Sequence, residues 1–214
     1  MIISRGRRYI FVHIPKTGGT SMAMALEERA MKDDILIGDT PKAQLRRKRL
    51  EGVVSSGRLW KHSRLTDIYG LVDEDEVEGL FVFTMVRNPW DRLVSYYHWL
   101  REQDFDHPAI ELAKSLGFSA FLNHAHTRAT FTAAPYGRYV ANRHGALRCD
   151  AFIRLEHLQE DLAPLNAHLG FDLSLPHSNA SPRKSGYAEA YSNADRDLVH
   201  EICAADIARF GYSF

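Results

Sequence analysis

The sequence YIFVHIPKTGGTSMAMALEERAM, residues 9–31, decides the fold class. Residues 9–14 form an apolar run that stops at Pro15, which is the pattern of a buried β-strand. A glycine pair follows, and residues 21–31 are rich in Ala, Met, Leu and Glu, which are strong helix formers. The stretch therefore predicts a strand, a glycine-containing loop and a helix in direct succession.

Two further apolar runs, residues 80–86 and 151–155, predict buried strands, and a helical pattern follows each of them. Asn88 is a good N-cap, and Pro89 fits the first position of the helix after the second strand. Strands that alternate with helices predict a parallel sheet that is covered on both faces. The expected fold is α/β, a P-loop-like three-layer fold with a central, mainly parallel sheet flanked by helices, in a single domain over residues 1–214.

Weaker patterns predict the remaining elements. Residues 127–148 have little periodicity and are expected to be rich in loops. The other segments are predicted as a polar helix and loop over 40–58, two short helices within 108–126, and single helices over 157–169 and 194–209.

Composition sets the class of protein. Of the 214 residues, 45% are hydrophobic and 25% are charged, which is ordinary for a globular chain and excludes a disordered or fibrous one.

No apolar run approaches the roughly 20 residues of a membrane span, and the N-terminus is typical of a strand rather than a signal peptide. We therefore expect a cytoplasmic protein without a transmembrane segment. Cys149 and Cys203 are too few for a disulfide framework and lie outside any CxxC spacing, so structural zinc is not expected.

A net charge of zero conceals an asymmetry along the chain. Residues 1–70 carry 14 Lys and Arg against 7 Asp and Glu, whereas residues 71–214 carry 13 against 20. A cationic N-terminal part suits an anionic ligand. The cluster at residues 46–49 (RRKR) is interpreted as a solvated helix face, and no nucleic-acid-binding motif is present, so nucleic acid is not expected as a partner.

The segment PKTGGTS, residues 15–21, predicts an anion site. Glycines let the backbone approach a phosphate closely, and the N-terminus of the next helix adds partial positive charge. Walker A loops place their lysine after the second glycine, whereas here the lysine precedes both glycines. The candidate phosphate ligands are Lys16, Thr17, Gly18, Gly19, Thr20 and Ser21.

A second anion site is predicted at the end of the 80–86 strand. Arg87 follows the carboxyl end of that strand, where ligands of open parallel sheets bind. Ser95 shares a helix face with Asp91, which places its hydroxyl toward the same strand end. A guanidinium and a hydroxyl are suitable partners for a terminal phosphate, although an arginine in this position also pairs readily with a carboxylate such as Asp91.

The two motifs together resemble the sulfotransferases, most closely sulfotransferase family 2, the carbohydrate-type and related bacterial enzymes. The resemblance is carried by FVHIPKTGGTS at 11–21 and FTMVRNPWDRLVSYY at 83–97. Supporting segments run along the rest of the chain at 152–162, 175–187 and 206–214.

The resemblance implies 3′-phosphoadenosine 5′-phosphosulfate (PAPS) as co-substrate, bound without a metal. Lys16 to Ser21 would bind the 5′-phosphosulfate, and Arg87 with Ser95 would bind the 3′-phosphate. His62, in WKHS at 60–63, resembles the family's base before the second motif, and Lys16 would neutralise the leaving phosphate. Arg183 is a candidate contact to the nucleotide, and His13 is expected to pack against or orient the loop.

The predicted activity is therefore sulfuryl transfer to a hydroxyl, or to an amine, of a carbohydrate or another small acceptor. The acceptor pocket is expected from residues 35–58 and 104–148. Two alternatives stay open at this point. One is a P-loop nucleotide kinase, which the lysine position and the lack of an acid at Thr84-Met85 disfavour. The other is a nucleotide-binding module of the same fold without turnover.

Overall fold

The computed structural model describes residues 1–175 and 186–214. Within these residues, five strands form one sheet: β1 (Ile2–Ser4), β2 (Tyr9–Val12), β3 (Ile35–Leu36), β4 (Phe81–Val86) and β5 (Ala151–Arg154), in the order β3-β1-β2-β4-β5. β4 pairs in parallel with β2 and with β5, whereas β1 pairs antiparallel with both of its neighbours. Of these five strands, four therefore run in one direction.

Helices connect and flank the strands, and this arrangement confirms the predicted α/β fold with a mainly parallel sheet. The α-helices of the described residues are α1 (Gly19–Glu28), α2 (Pro41–Arg46), α3 (Glu74–Gly79), α4 (Pro89–Arg101), α5 (Pro108–Ser115), α6 (Phe118–Asn123), α7 (Ala125–Thr132), α8 (Tyr136–Tyr139), α9 (Leu158–Asp161), α10 (Ala163–Leu169), α11 (Asn193–Ile202) and α12 (Ala204–Phe210). Short 3₁₀ turns cover Arg47–Leu50, Leu65–Ile68, Leu155–His157 and Tyr187–Ala190.

The described residues divide into two compact units. The first contains residues 1–86 and 136–175, with the whole sheet, and the second contains residues 87–135 and 186–214. The single domain over 1–214 stays a prediction. In the part of the chain that the structure describes, no helix combines the length and the apolar character that a bilayer crossing requires.

The core of the first unit lies between the sheet and the helices that follow its strands. The sheet contributes Tyr9, Phe11, Phe83, Met85 and Ile153, and the helices contribute Met22, Leu26 and Leu165. The fully buried rings of Phe11 and Phe83 stack across β2 and β4 with their centroids 5.2 Å apart. The buried Thr84 hydroxyl donates to the Val12 carbonyl at 2.7 Å, which adds a side-chain bond to the parallel ladder.

The core of the second unit is built around α4. Its N-terminus has the predicted cap, because the Asn88 side chain accepts a hydrogen bond from the Trp90 backbone N–H and Pro89 occupies the first turn. The buried face of α4 packs against α6, α7, α11 and α12 through Trp90, Leu93, Leu122, Phe131, Val199 and Ile207.

One of the weaker predictions was wrong in part. The helix predicted over 194–209 is interrupted at Cys203, whose backbone leaves the helical region (φ −111°, ψ 17°). Residues 127–148 are rich in loops as predicted, since helix is confined there to the end of α7 and to α8, where Phe131 and Tyr136 are buried.

Candidate functional site

The glycine loop lies between β2 and α1. Since β2 and β4 are neighbouring parallel strands, with Val12 opposite Thr84, the loop starts at the carboxyl edge of the sheet. Ligands of open α/β sheets bind outside that edge. The predicted anion site is therefore at the position in the fold where such ligands are found.

Two residues of this loop have left-handed backbone conformations. Lys16 has φ 65°, which is uncommon for a residue with a side chain, and Gly18 has φ 86°. A Cβ at Gly18 would also lie 2.9 Å from the Leu155 side chain, so glycine is required there on two grounds. The buried Thr17 hydroxyl donates to the Ile14 carbonyl at 2.9 Å and so closes the turn from within.

Gly18 is also the N-cap of α1 and has no side chain with which to accept from the N–H groups of the first turn. Those groups and the helix dipole favour an anion at this end of α1. Lys16 adds a formal positive charge three residues before the helix begins. The loop therefore has the backbone and charge of a phosphate site.

His13 follows the last residue of β2 and packs against the loop. Its side chain is buried, with 7% of its surface exposed. A Cβ built at Gly19 would lie 2.1 Å from the His13 Cδ2 atom, so the imidazole occupies the space that any larger residue at position 19 would need. Burial, followed by the neighbouring His62, lowers the His13 pKa well below its usual value, so the ring is neutral at pH 7.

His62 contacts His13 from a distant part of the sequence. The two rings meet edge to face, with centroids 4.7 Å apart, and His62 Nδ1 lies 2.8 Å from the His13 carbonyl oxygen. Because a carbonyl oxygen only accepts, Nδ1 carries the proton and Nε2 keeps its lone pair. Burial and the charge of Lys61 lower the His62 pKa to about 3, against the opposing effect of the carbonyl. At pH 7 His62 is therefore a neutral proton acceptor at Nε2.

The residues before His62 form a fixed turn. The buried Ser63 hydroxyl shares its one proton between the Arg58 carbonyl, at 2.9 Å, and the Trp60 carbonyl, at 2.8 Å, and it accepts from the Trp60 N–H at 2.8 Å. Lys61 forms an ion pair with Asp39, in the loop after β3.

Arg87 and Ser95 lie in the second unit. The Arg87 guanidinium forms an ion pair with Asp91 one helical turn later, with Nη2 2.6 Å from the carboxylate. Ser95 is buried and lies on the same face of α4, one turn after Asp91. The carboxylate partner that the sequence suggested for Arg87 is thus present, and it fixes the direction of the guanidinium. Arg183, the candidate contact to the nucleotide, lies outside the described residues.

A sequence model described as the sulfotransferase family matches residues 1–213, nearly the whole chain. The chain belongs to the sulfotransferase family. This confirms the resemblance seen in the two motifs and makes the protein an enzyme of the sulfotransferase type. Among solved structures, the mouse sulfotransferase SULT7A1 complexed with PAP matches this sulfotransferase with a TM-score of 0.47 and 15% identity, over 96% of this chain and 85% of that one. No curated protein sequence matches this chain.

Within the first unit of this sulfotransferase, the structure brings the predicted loop and the predicted base together through one residue. His13 contacts Gly19 with its ring and His62 with both its ring and its carbonyl. The assignments of Lys16 to Ser21, His62, Arg87 and Ser95 to the nucleotide and the reaction stay predictions.

We expect Gly19→Ala to destabilise the fold by about 1–3 kcal/mol, because the added methyl group overlaps the buried His13 ring. Urea denaturation measures the change. Gly79→Ala is the matched control, since Gly79 is also helical and a Cβ there has nothing within 4 Å. His13→Ala in the Gly19→Ala background should recover part of the loss; an equal loss in both glycine variants would contradict the overlap.

The lowered pKa of His62 predicts a pH-dependent stability. Below pH 6.5 the unfolded chain protonates this residue and the folded chain does not, so stability falls as the pH falls, by up to about 1.4 kcal/mol per pH unit. Urea denaturation at pH 7, 6 and 5 should show a shallower dependence for His62→Gln, which keeps an N–H donor for the His13 carbonyl. Identical slopes would mean that His62 titrates normally in the fold.

Proposed function

We propose that the protein transfers the sulfuryl group of PAPS to a hydroxyl, or less readily an amine, of a carbohydrate or another small acceptor. The observation that carries the proposal is His62, a neutral imidazole whose Nδ1–H is held by the carbonyl of the residue that packs against the glycine loop. The cytoplasmic location and a reaction without metal stay predictions.

The glycine loop supplies the binding site for the 5′-phosphosulfate in this proposal. Lys16 and the N-terminal N–H groups of α1 provide positive charge, with Gly18 and Gly19 allowing close approach. Arg87 and Ser95 bind the 3′-phosphate. Asp91 supports this role because a guanidinium that is already oriented by a carboxylate loses little freedom when it binds a phosphate.

Sulfuryl transfer places demands on two side chains. As the acceptor oxygen forms its bond to sulfur, the bond from sulfur to the 5′-phosphate breaks, and negative charge grows on that phosphate, where Lys16 neutralises it. The acceptor proton goes to His62 Nε2. With a pKa of about 3, His62 is a weak base, so it accepts the proton late, after bond formation has made the hydroxyl strongly acidic. The products are the sulfated acceptor and adenosine 3′,5′-bisphosphate (PAP).

Nucleotide binding distinguishes this proposal from a P-loop kinase. PAP at one hundred times its dissociation constant should stabilise the fold by about 2.7 kcal/mol, whereas ATP with Mg²⁺ should stabilise it much less because it lacks the 3′-phosphate. Thermal or urea unfolding measures both. Arg87→Gln should reduce the PAP effect and leave the ATP effect unchanged. A larger stabilisation by Mg²⁺-ATP would favour the kinase.

Turnover distinguishes an enzyme from a binding module. With PAPS and a panel of glycans, His62→Ala should lower kcat by about 10²–10⁴-fold with PAP affinity unchanged, because it removes only the proton acceptor. Lys16→Ala should lower kcat and also weaken PAP. His200→Ala and Lys32→Ala, at exposed positions outside the segments expected to form the acceptor pocket, are the controls. Wild-type rates in His62→Ala would place the base elsewhere, and no turnover in the wild type with any glycan would favour the binding module.

A further inference from the structure

A dense group of positive charges lies at the end of α2, apart from the glycine loop. Residues 40–50 contain five Lys and Arg and no acidic residue. Arg47, Lys48 and Arg49, in the 3₁₀ turn that continues α2, are all exposed. Leu45, in the last turn of α2, leaves 86% of its surface open to solvent. An apolar side chain is thus displayed next to three exposed cations.

Hydrogen bonds fix the end of α2 to the segment that follows α1. Arg46 donates to the carbonyls of Met31 and Asp34, at 2.8 and 3.1 Å, and Arg49 donates to the carbonyl of Lys32. These bonds bring Met31, a second exposed apolar side chain, beside α2. The basic patch, as we name this surface, consists of Met31, Leu45, Arg47, Lys48 and Arg49.

Internal contacts account for only part of the positive charge. Arg46 and Arg49 bind carbonyls just beyond the C-terminus of α1, where the helix dipole favours cations. A guanidinium has five N–H donors, so one or two such bonds leave donors for another ligand. Arg47 and Lys48 lie between these two arginines and expose their side chains to solvent. The patch therefore holds more cationic donors than the fold uses.

Attraction of the anionic donor does not account for the patch either. The donor site proposed above lies at the N-terminus of α1, whereas the basic patch lies beyond its C-terminus. The ten residues of α1 span about 15 Å. Exposed charges more than about 8–10 Å apart are largely screened at physiological ionic strength. The position of the patch therefore suits a partner other than the nucleotide.

The charge and the exposed apolar side chains together favour a lipid surface. In residues 29–51, seven Lys and Arg stand against four Asp and Glu, of which Asp34 is buried and Asp39 is held in an ion pair. Anionic headgroups attract cationic side chains, and apolar side chains enter the region below the headgroups. A nucleic acid would use the cations and leave Leu45 and Met31 in water. A stable protein interface requires a larger apolar core than these two side chains provide.

We propose that the basic patch docks the protein on an anionic membrane surface, with its cations at the headgroup phosphates and Leu45 and Met31 inserted at the interface. Such binding is peripheral and reversible, because a few cations and two apolar side chains contribute modest affinity. This inference is independent of the proposed sulfuryl transfer, since it involves none of the residues assigned to the nucleotide or to proton transfer.

Vesicle co-sedimentation tests the docking. The wild type should bind vesicles of phosphatidylglycerol and phosphatidylcholine in equal amounts, and it should bind pure phosphatidylcholine at least about tenfold more weakly. Arg47→Gln combined with Lys48→Gln should weaken binding to the anionic vesicles by about 25-fold, because each cation near such a surface contributes about fivefold. Leu45→Ser should weaken it by about tenfold and leave its salt dependence unchanged, because it removes apolar insertion and no charge.

Matched variants outside the patch are the controls. Arg101→Gln combined with Arg209→Gln makes the same change in charge at two exposed arginines. Leu147→Ser makes the same change in polarity at a leucine with 44% of its surface exposed. Both should bind the vesicles as the wild type does. The midpoint of urea denaturation, equal to that of the wild type, checks that each variant is folded.

Failure of the wild type to bind the anionic vesicles, or equal binding to both kinds of vesicle, would overturn the docking. An equal loss in the two double-arginine and arginine–lysine variants would reduce the effect to general charge attraction and would also overturn it. Fluorescence anisotropy with a duplex DNA oligonucleotide tests the alternative partner. If Arg47→Gln with Lys48→Gln weakens DNA binding, and Leu45→Ser changes neither DNA nor vesicle binding, the patch is a nucleic-acid site and the membrane proposal is wrong.

Discussion

The buried imidazole of His13 is the constraint on which the rest of the candidate site depends. It fills the space above Gly19 so completely that no side chain fits there, and the carbonyl of the same residue fixes the tautomer of His62. One residue at the end of β2 therefore sets both the approach of α1 to the sheet and the direction of the lone pair on His62. A change that moves this ring moves the loop and the base together.

The loop itself stores backbone strain that its surroundings maintain. A left-handed conformation at a non-glycine residue costs about 1–3 kcal/mol, and Lys16 adopts one. Thr17 holds the turn from inside through Ile14, and Leu155 closes the space beside Gly18. Such strain persists only where neighbouring contacts determine the conformation, so the backbone conformation of Lys16 follows from the internal contacts of Thr17 and Leu155.

Sequence patterns predicted the parts of the fold that depend on local properties. The apolar runs that became β2 and β4 are buried on both faces, whereas β5 alternates between buried and half-buried side chains. The Asn88-Pro89 cap is a property of adjacent residues. β3 has only two residues, too few for any period, and its pairing with β1 is set by contact across the sheet.

For the site, the glycine loop is a contiguous motif, whereas the contact of His62 with His13 joins residues 49 positions apart.

The positive charges of the first unit act on both the glycine loop and the candidate base. Burial is the main cause that lowers the pKa of both imidazoles, and the positive charge of Lys61, joined at His13 by that of Lys16, acts in the same direction. A carboxylate beside the ring would instead raise the pKa of a histidine. Asp39 forms an ion pair with Lys61. Burial acts to raise the pKa of Asp39, but the pairing with Lys61 outweighs it and holds that pKa below its usual value. The same positive charges that would suit an anionic donor at the loop therefore add to the effect of burial in keeping the His62 lone pair free of a proton.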